Sequence, residues 1–101
     1  MANTAKALFR GAATTNTSTT LYTVPSATST VITNIVITNT AGTSGTFTLA
    51  LDGVAIASAT TIPANGITTL DIKQVLAATK LITGGASATS INFHISGMEI
   101  A

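Results

Sequence analysis

The sequence predicts an all-β protein, an antiparallel β-sandwich (jelly-roll or immunoglobulin-like) of about seven to nine short strands. Three observations predict it. Apolar residues recur with a period of two along most of the 101-residue chain, and helical periodicity is weak. Turn residues interrupt this alternation at roughly ten-residue intervals, the spacing of sandwich folds. Threonine supplies 22 residues. Its β-branched side chain suits a pleated strand, and its hydroxyl can face water. Two apolar sheet faces then need each other as cover.

The first strand is expected at residues 6–12, with Ala7 and Phe9 on one face and Leu8 and Arg10 on the other. Residues 13–20 read as a Thr/Asn/Ser loop. Residues 20–24 form a short strand closed by Pro25, whose missing N–H cannot continue a central ladder. The longest strand is residues 30–40. Val31, Ile35 and Ile37 face one way and Ile32 and Val36 the other, so both faces are apolar. In residues 46–51, Phe47, Leu49 and Leu51 point in while Thr46, Thr48 and Ala50 point out. Asp52-Gly53 before residues 54–57 is a tight-hairpin signal, since both positions favour positive φ.

Pro63-Ala64-Asn65-Gly66 is a further turn, leading into a strand at 67–72 in which Leu70 and Ile72 share a face. Residues 73–79 lack a period and suggest a single helical turn. A short strand at 80–83 is broken by Gly84-Gly85. Residues 90–100 close the fold with a change of phase. Ile91, Phe93 and Ile95 share one parity, and Met98 and Ile100 hold the other. A β-bulge at Gly97 would return Met98 and Ile100 to the core side.

One domain, residues 1–101, is the natural count. Residues 1–5 are small and polar, a frayed end or an arm reaching a partner. The four aromatic residues, Phe9, Tyr22, Phe47 and Phe93, leave the core to aliphatic side chains. Lys6, Arg10, Lys73 and Lys80 stand against Asp52, Asp71 and Glu99, a formal net charge of +1. Four scattered cations make no phosphate-binding track, so no nucleic-acid partner is expected. Low net charge lets copies approach closely. Cysteine is absent, and no segment approaches a membrane span or a signal-peptide core, which points to synthesis in the cytoplasm.

The ionisable groups are too few and too scattered for catalysis, and the chain reads as a non-enzyme with no cofactor and no metal. His94, the only imidazole, lies between Asn92 and Ser96 on the polar parity of the last strand. As a general base it would need a serine and Asp52 or Asp71, and no nucleophile elbow accompanies it. It reads instead as a surface or interface residue. Asp52 reads as a turn residue, and Glu99 as an ion-pair partner for Lys6 or Arg10. Tyr22 reads as a packing residue at a strand end. The candidate contact surface is Asn92, His94 and Ser96, with Asn3 and Lys6 from the N-terminal segment.

Four stretches carry a resemblance: LYTVPSATSTVITNIVITNT (21–40), FTLALDG (47–53), TIPANGITTLDI (61–72) and INFHISGMEI (91–100). Their order, with a Val-Pro step, a long Val/Ile/Thr/Asn strand, a strand ending in Asp-Gly, and a Pro-x-Asn-Gly turn, resembles small structural proteins of tailed bacteriophages. These are capsid decoration (cement) proteins and β-sandwich modules of tails and fibres. The resemblance implies a virion protein that bridges capsomers of the phage head. Its partners would be the major capsid protein or other virion proteins, and it would form a homo-oligomer, a trimer first. A tail, baseplate or fibre module binding a host-surface glycan is the alternative it implies.

Overall fold

Asp52 and Gly53 adopt φ values of 53° and 76°, both positive. They form the tight turn expected of Asp-Gly. The computed structural model describes residues 3–101, and the rest of the chain pairs outward from this turn. Among the described residues the strands are β1 (Asn3–Ala12), β2 (Thr19–Thr23), β3 (Ser29–Asn39), β4 (Gly45–Leu51), β5 (Val54–Ile62), β6 (Ile67–Leu70), β7 (Gln74–Leu76), β8 (Leu81–Ala86) and β9 (Ile91–Ile100). Leu51 pairs with Val54, Val36 with Thr69, Tyr22 with Ile82 and Asn3 with Ile100. The two halves of the sequence therefore run beside each other from the central turn to the termini.

This doubled ribbon is rolled into two antiparallel sheets, β1-β9-β3-β6 with β7 also on β3, and β2-β8-β4-β5. Successive paired segments of the ribbon fall on alternate sheets from β1 to β4, which is the strand order of a jelly roll. The immunoglobulin-like alternative is thereby set aside. The order depends on non-local pairing, which the sequence does not display.

The core lies between the sheets. Ile32, Ile35 and Ile37 of β3 and Ile91, Phe93 and Ile95 of β9 meet Phe47 and Leu49 of β4 and Ile82 of β8, all essentially inaccessible. Each such side chain contributes roughly 1.5–3 kcal/mol through removal from water. Phe47 and Phe93 meet edge to face at 6.4 Å and 73°, the favoured geometry for two rings. The inward set Phe47, Leu49 and Leu51 is as the alternation predicts.

Several local expectations give way to the structure. β9 carries no bulge: its pairing with both neighbours advances residue by residue, and Met98 and Ile100 stay on the outer parity. The irregularities fall on the flanking strands instead, at Leu8 between Ala7 and Phe9 of β1 and at Thr33 between Ile32 and Asn34 of β3. Gly97 explains both. A Cβ there would lie 2.5 Å from the Val31 carbonyl oxygen and 2.8 Å from Leu8 Cδ1. The neighbours close over the missing side chain, and Leu8 fills it. The shift buries Leu8 and turns Arg10 outward with Ala7. It also brings Ile32 to the core with Ile35 and Ile37, while Val31 joins Val36 outside.

Strand β8 runs through Gly84-Gly85 rather than breaking there. Asn16 O would sit 2.3 Å from a Cβ at Gly85, so glycine lets the β1–β2 loop lie against the strand. Residues 74–76 are a strand on β3, not a helical turn, because Thr30, Val31 and Ile32 offer them a free edge. β1 begins at Asn3, so residues 3–5 are paired with β9 rather than forming a loose arm; residues 1–2 lie outside the described residues.

Candidate functional site

The outward parity of β9 organises one face of the five-stranded sheet. Across the strands the outward residues form rows. Ala12, Asn92, Thr38 and Ile67 make the first; Arg10, His94, Val36 and Thr69 the second. Ala7, Ser96 and Asn34 follow, then Ala5, Met98, Val31 and Val75. Asn3, Ile100 and Ser29 end the series. The face is thus polar over one half and aliphatic over the other.

Asn92, His94 and Ser96 lie in line on this face and are half-buried, as β-strand alternation predicts. Asn3 shares the face at its aliphatic end. Lys6 does not. It pairs opposite Gly97 on the inward parity, and its ammonium instead reaches Glu99 Oε2 at 3.3 Å. Arg10 belongs to the face and was hidden in the sequence by the Leu8 bulge, which reverses its side. The available signal was an arginine directly after the apolar run Ala7-Leu8-Phe9.

Two polar groups brace the ends of the roll. At the end carrying the Asp52-Gly53 turn, Tyr22 of β2 crosses between the sheets. Its hydroxyl donates to Glu99 Oε2 and lies 2.9 Å from Thr30 Oγ1, a fully buried hydroxyl. The bond to Tyr22 and the ammonium of Lys6 hold the Glu99 carboxyl below the usual glutamate range. Burial, and then the Glu99 carboxylate, push the Tyr22 hydroxyl above its ordinary value. Tyr22 is thus a buried bracing residue, in line with the packing reading. The Glu99–Lys6 pair stands as the sequence suggested, with Glu99 only 15% exposed.

At the opposite end Asn39, 3% exposed, ties three loops together. Its Nδ2 donates to Thr43 O at 2.9 Å and Pro63 O at 3.2 Å. Its Oδ1 accepts from Ala41 N at 3.0 Å and Ser90 Oγ at 3.3 Å. Nothing in the period-two reading singled Asn39 out. The available signal was an amide closing a Val/Ile strand just before a small-residue turn.

The remaining ionisable groups are dispersed. Asp71 lies just past β6, exposed, and its carboxyl is held low by Lys73 Nζ at 2.7 Å. Asp52 sits at the hairpin, 3.7 Å from Lys80. Among the described residues no three of His, Asp and Glu gather as metal ligands, and no helix is long and apolar enough to cross a membrane. Two shallow depressions stand out among the described residues. One, about 280 Å³, is lined by Asp52, Lys80, Thr79 and Thr83; the other, about 390 Å³, by Thr38, Asn39, Thr40 and Asn65. His94 lies outside both, with Arg10 and Val36 as its cross-strand neighbours. No protein-family model matches the chain, and no curated protein is significantly similar to it.

Proposed function

We propose that this chain is a structural protein of a bacteriophage particle that works by docking, not catalysis. Its favoured role is as a decoration protein bridging capsomers on the head, in the homotrimeric arrangement that the sequence resemblance implies. The observation that carries the reading is the outer face of the five-stranded sheet. It sets Asn92, His94 and Ser96 in line along β9, beside an aliphatic area of Val31, Met98, Ile100 and Val75, the last 70% exposed. A sheet face with apolar and hydrogen-bonding halves suits contact with another protein. Repetition of modest contacts around a particle would give strong retention through avidity.

A tail or fibre module is the second reading. The depression lined by Thr38, Thr40 and Asn65 favours it, since hydroxyls and amides are groups that hydrogen-bond a glycan. Both readings are tested by sedimenting phage particles from a culture that carries the gene and locating the chain by antibody labelling in electron micrographs. Label on heads is expected, and Ser96→Trp, which fills the face with an indole, removes it. Label on tails alone favours the second reading. Absence of the chain from particles overturns both.

A further inference from the structure

We infer that the outer face of the β1-β9-β3 sheet takes a carboxylate-bearing protein surface, with Arg10 as its anchoring cation. The inference rests on the docking role proposed above and names the chemistry of the partner.

Each lysine has an acid of its own chain: Lys6 with Glu99 at 3.3 Å, Lys73 with Asp71 at 2.7 Å and Lys80 with Asp52 at 3.7 Å. These pairs engage all three carboxylate side chains of the sequence. Arg10 is the cation left over among the described residues, and it is exposed. The structure places it opposite His94, with Asn92 and Ser96 in the adjoining rows, so further hydrogen-bonding groups surround it. A guanidinium presents a planar fork that matches a carboxylate with two parallel hydrogen bonds.

Charge decides between occupants. The outward rows of β1, β9 and β3 hold no acidic side chain, and each carboxylate side chain elsewhere already has a lysine, so a second copy has no unpaired carboxylate side chain to offer Arg10. A nucleic acid would ask for a track of several cations, and here there is one beside a lone imidazole. A different protein, with an acidic residue next to aliphatic side chains, matches both halves of the face.

The test uses the full chain, isotope-labelled for amide NMR, and two synthetic peptides of equal length and equal apolar content. One carries glutamates and the other glutamines in the same places. The glutamate peptide should bind about threefold or more tightly than its neutral twin, the scale of one partly exposed ion pair. Its shifts should gather on Arg10, Asn92, His94 and Ser96. Arg10→Gln should erase the preference while leaving the spectrum folded, and Arg10→Lys should keep part of it. Equal affinities, or shifts centred on another surface, overturn the inference. So does a DNA duplex that moves the same amides at lower concentration, or a dilution series of the chain alone that moves them. Loss of particle binding by Ser96→Trp without peptide discrimination would leave the docking face standing and remove its carboxylate chemistry. Discrimination by a chain absent from particles would do the reverse.

Discussion

The two ends of the roll are closed by different chemistry. At one, the Tyr22 hydroxyl, the Glu99 carboxylate, Thr30 and Lys6 form a brace with ionised members. At the other, Asn39 joins the loops at 40–44, 63–66 and 87–90 with four hydrogen bonds between neutral groups. Each end satisfies buried polar groups, and no buried side-chain nitrogen or oxygen among the described residues lacks a partner. The difference lies in what disturbs them. Protons and salt act on the first, whereas the second responds only to loss of its geometry. One small fold thus has a titrating end and a silent end.

The largest expected effect lies on the titrating side, where β9 passes between the bulges. Gly97→Val pushes a side chain into the Val31 carbonyl and the Leu8 methyl. It should lower stability by about 3 kcal/mol or more, or prevent folding, as overpacking against rigid backbone does. Denaturant titration checks it, and a loss under about 1 kcal/mol would show that the strands can part there.

The silent end can be made to titrate. In Asn39→Asp, a carboxylate would face the Thr43 and Pro63 carbonyls, acceptor against acceptor. A loss of about 2–3 kcal/mol is expected at neutral pH. Such a buried carboxyl has a raised pKa in the folded state. Stability should therefore be partly recovered in acid and lost again as pH rises through that folded value. A pH-independent loss would mean that water reaches the site.

Tyr22→Phe tests the opposite end with a smaller loss, about 1–2 kcal/mol. The linkage has a definite sign. Glu99 is held below its ordinary range, so its contribution is full above that range and fades as pH falls through the folded value. Tyr22 is raised, so its contribution is present below the ordinary tyrosine range and fades as pH climbs through the folded value. Thermal melts across pH should show both limbs in the parent. In the variant the alkaline limb should vanish, and the acid limb should shrink to what the Glu99–Lys6 and Asp71–Lys73 pairs supply. Unchanged limbs would assign the dependence to other groups.

The smallest effect belongs to the docking face. His94→Ala removes a half-buried ring from the outside of the sheet and should cost under about 0.5 kcal/mol. A melting temperature close to the parent's checks it; failure to fold would make His94 part of the architecture.

The sequence revealed what repeats along the chain and missed what depends on neighbours. Phe47, Leu49 and Leu51 alternate within one regular strand, so their side was legible, and Asp52-Gly53 carries its own backbone preference. The phase of β1 and β3 was not legible, because the bulges at Leu8 and Thr33 answer a vacancy at Gly97, a residue far away in sequence. β7 escaped because its three residues are too few to show a period, and its ladder partner lies on β3. Of the contact face, Asn92, His94 and Ser96 could be grouped, since they share one uninterrupted strand. Arg10 could not join them until the reversal at Leu8 was visible, and Lys6 was turned away by Glu99.

The mirror pairing about Asp52-Gly53 bears on how the molecule assembles. Bringing Asn3 to Ile100 in a single step would require an encounter between residues far apart along the chain. Growth from the hairpin avoids that search, because each rung, once formed, delivers the next two residues close together and leaves little slack to order. The tip would then behave as a nucleus and β1 and β9 as late arrivals, a zipper whose slider starts at the Asp52-Gly53 turn.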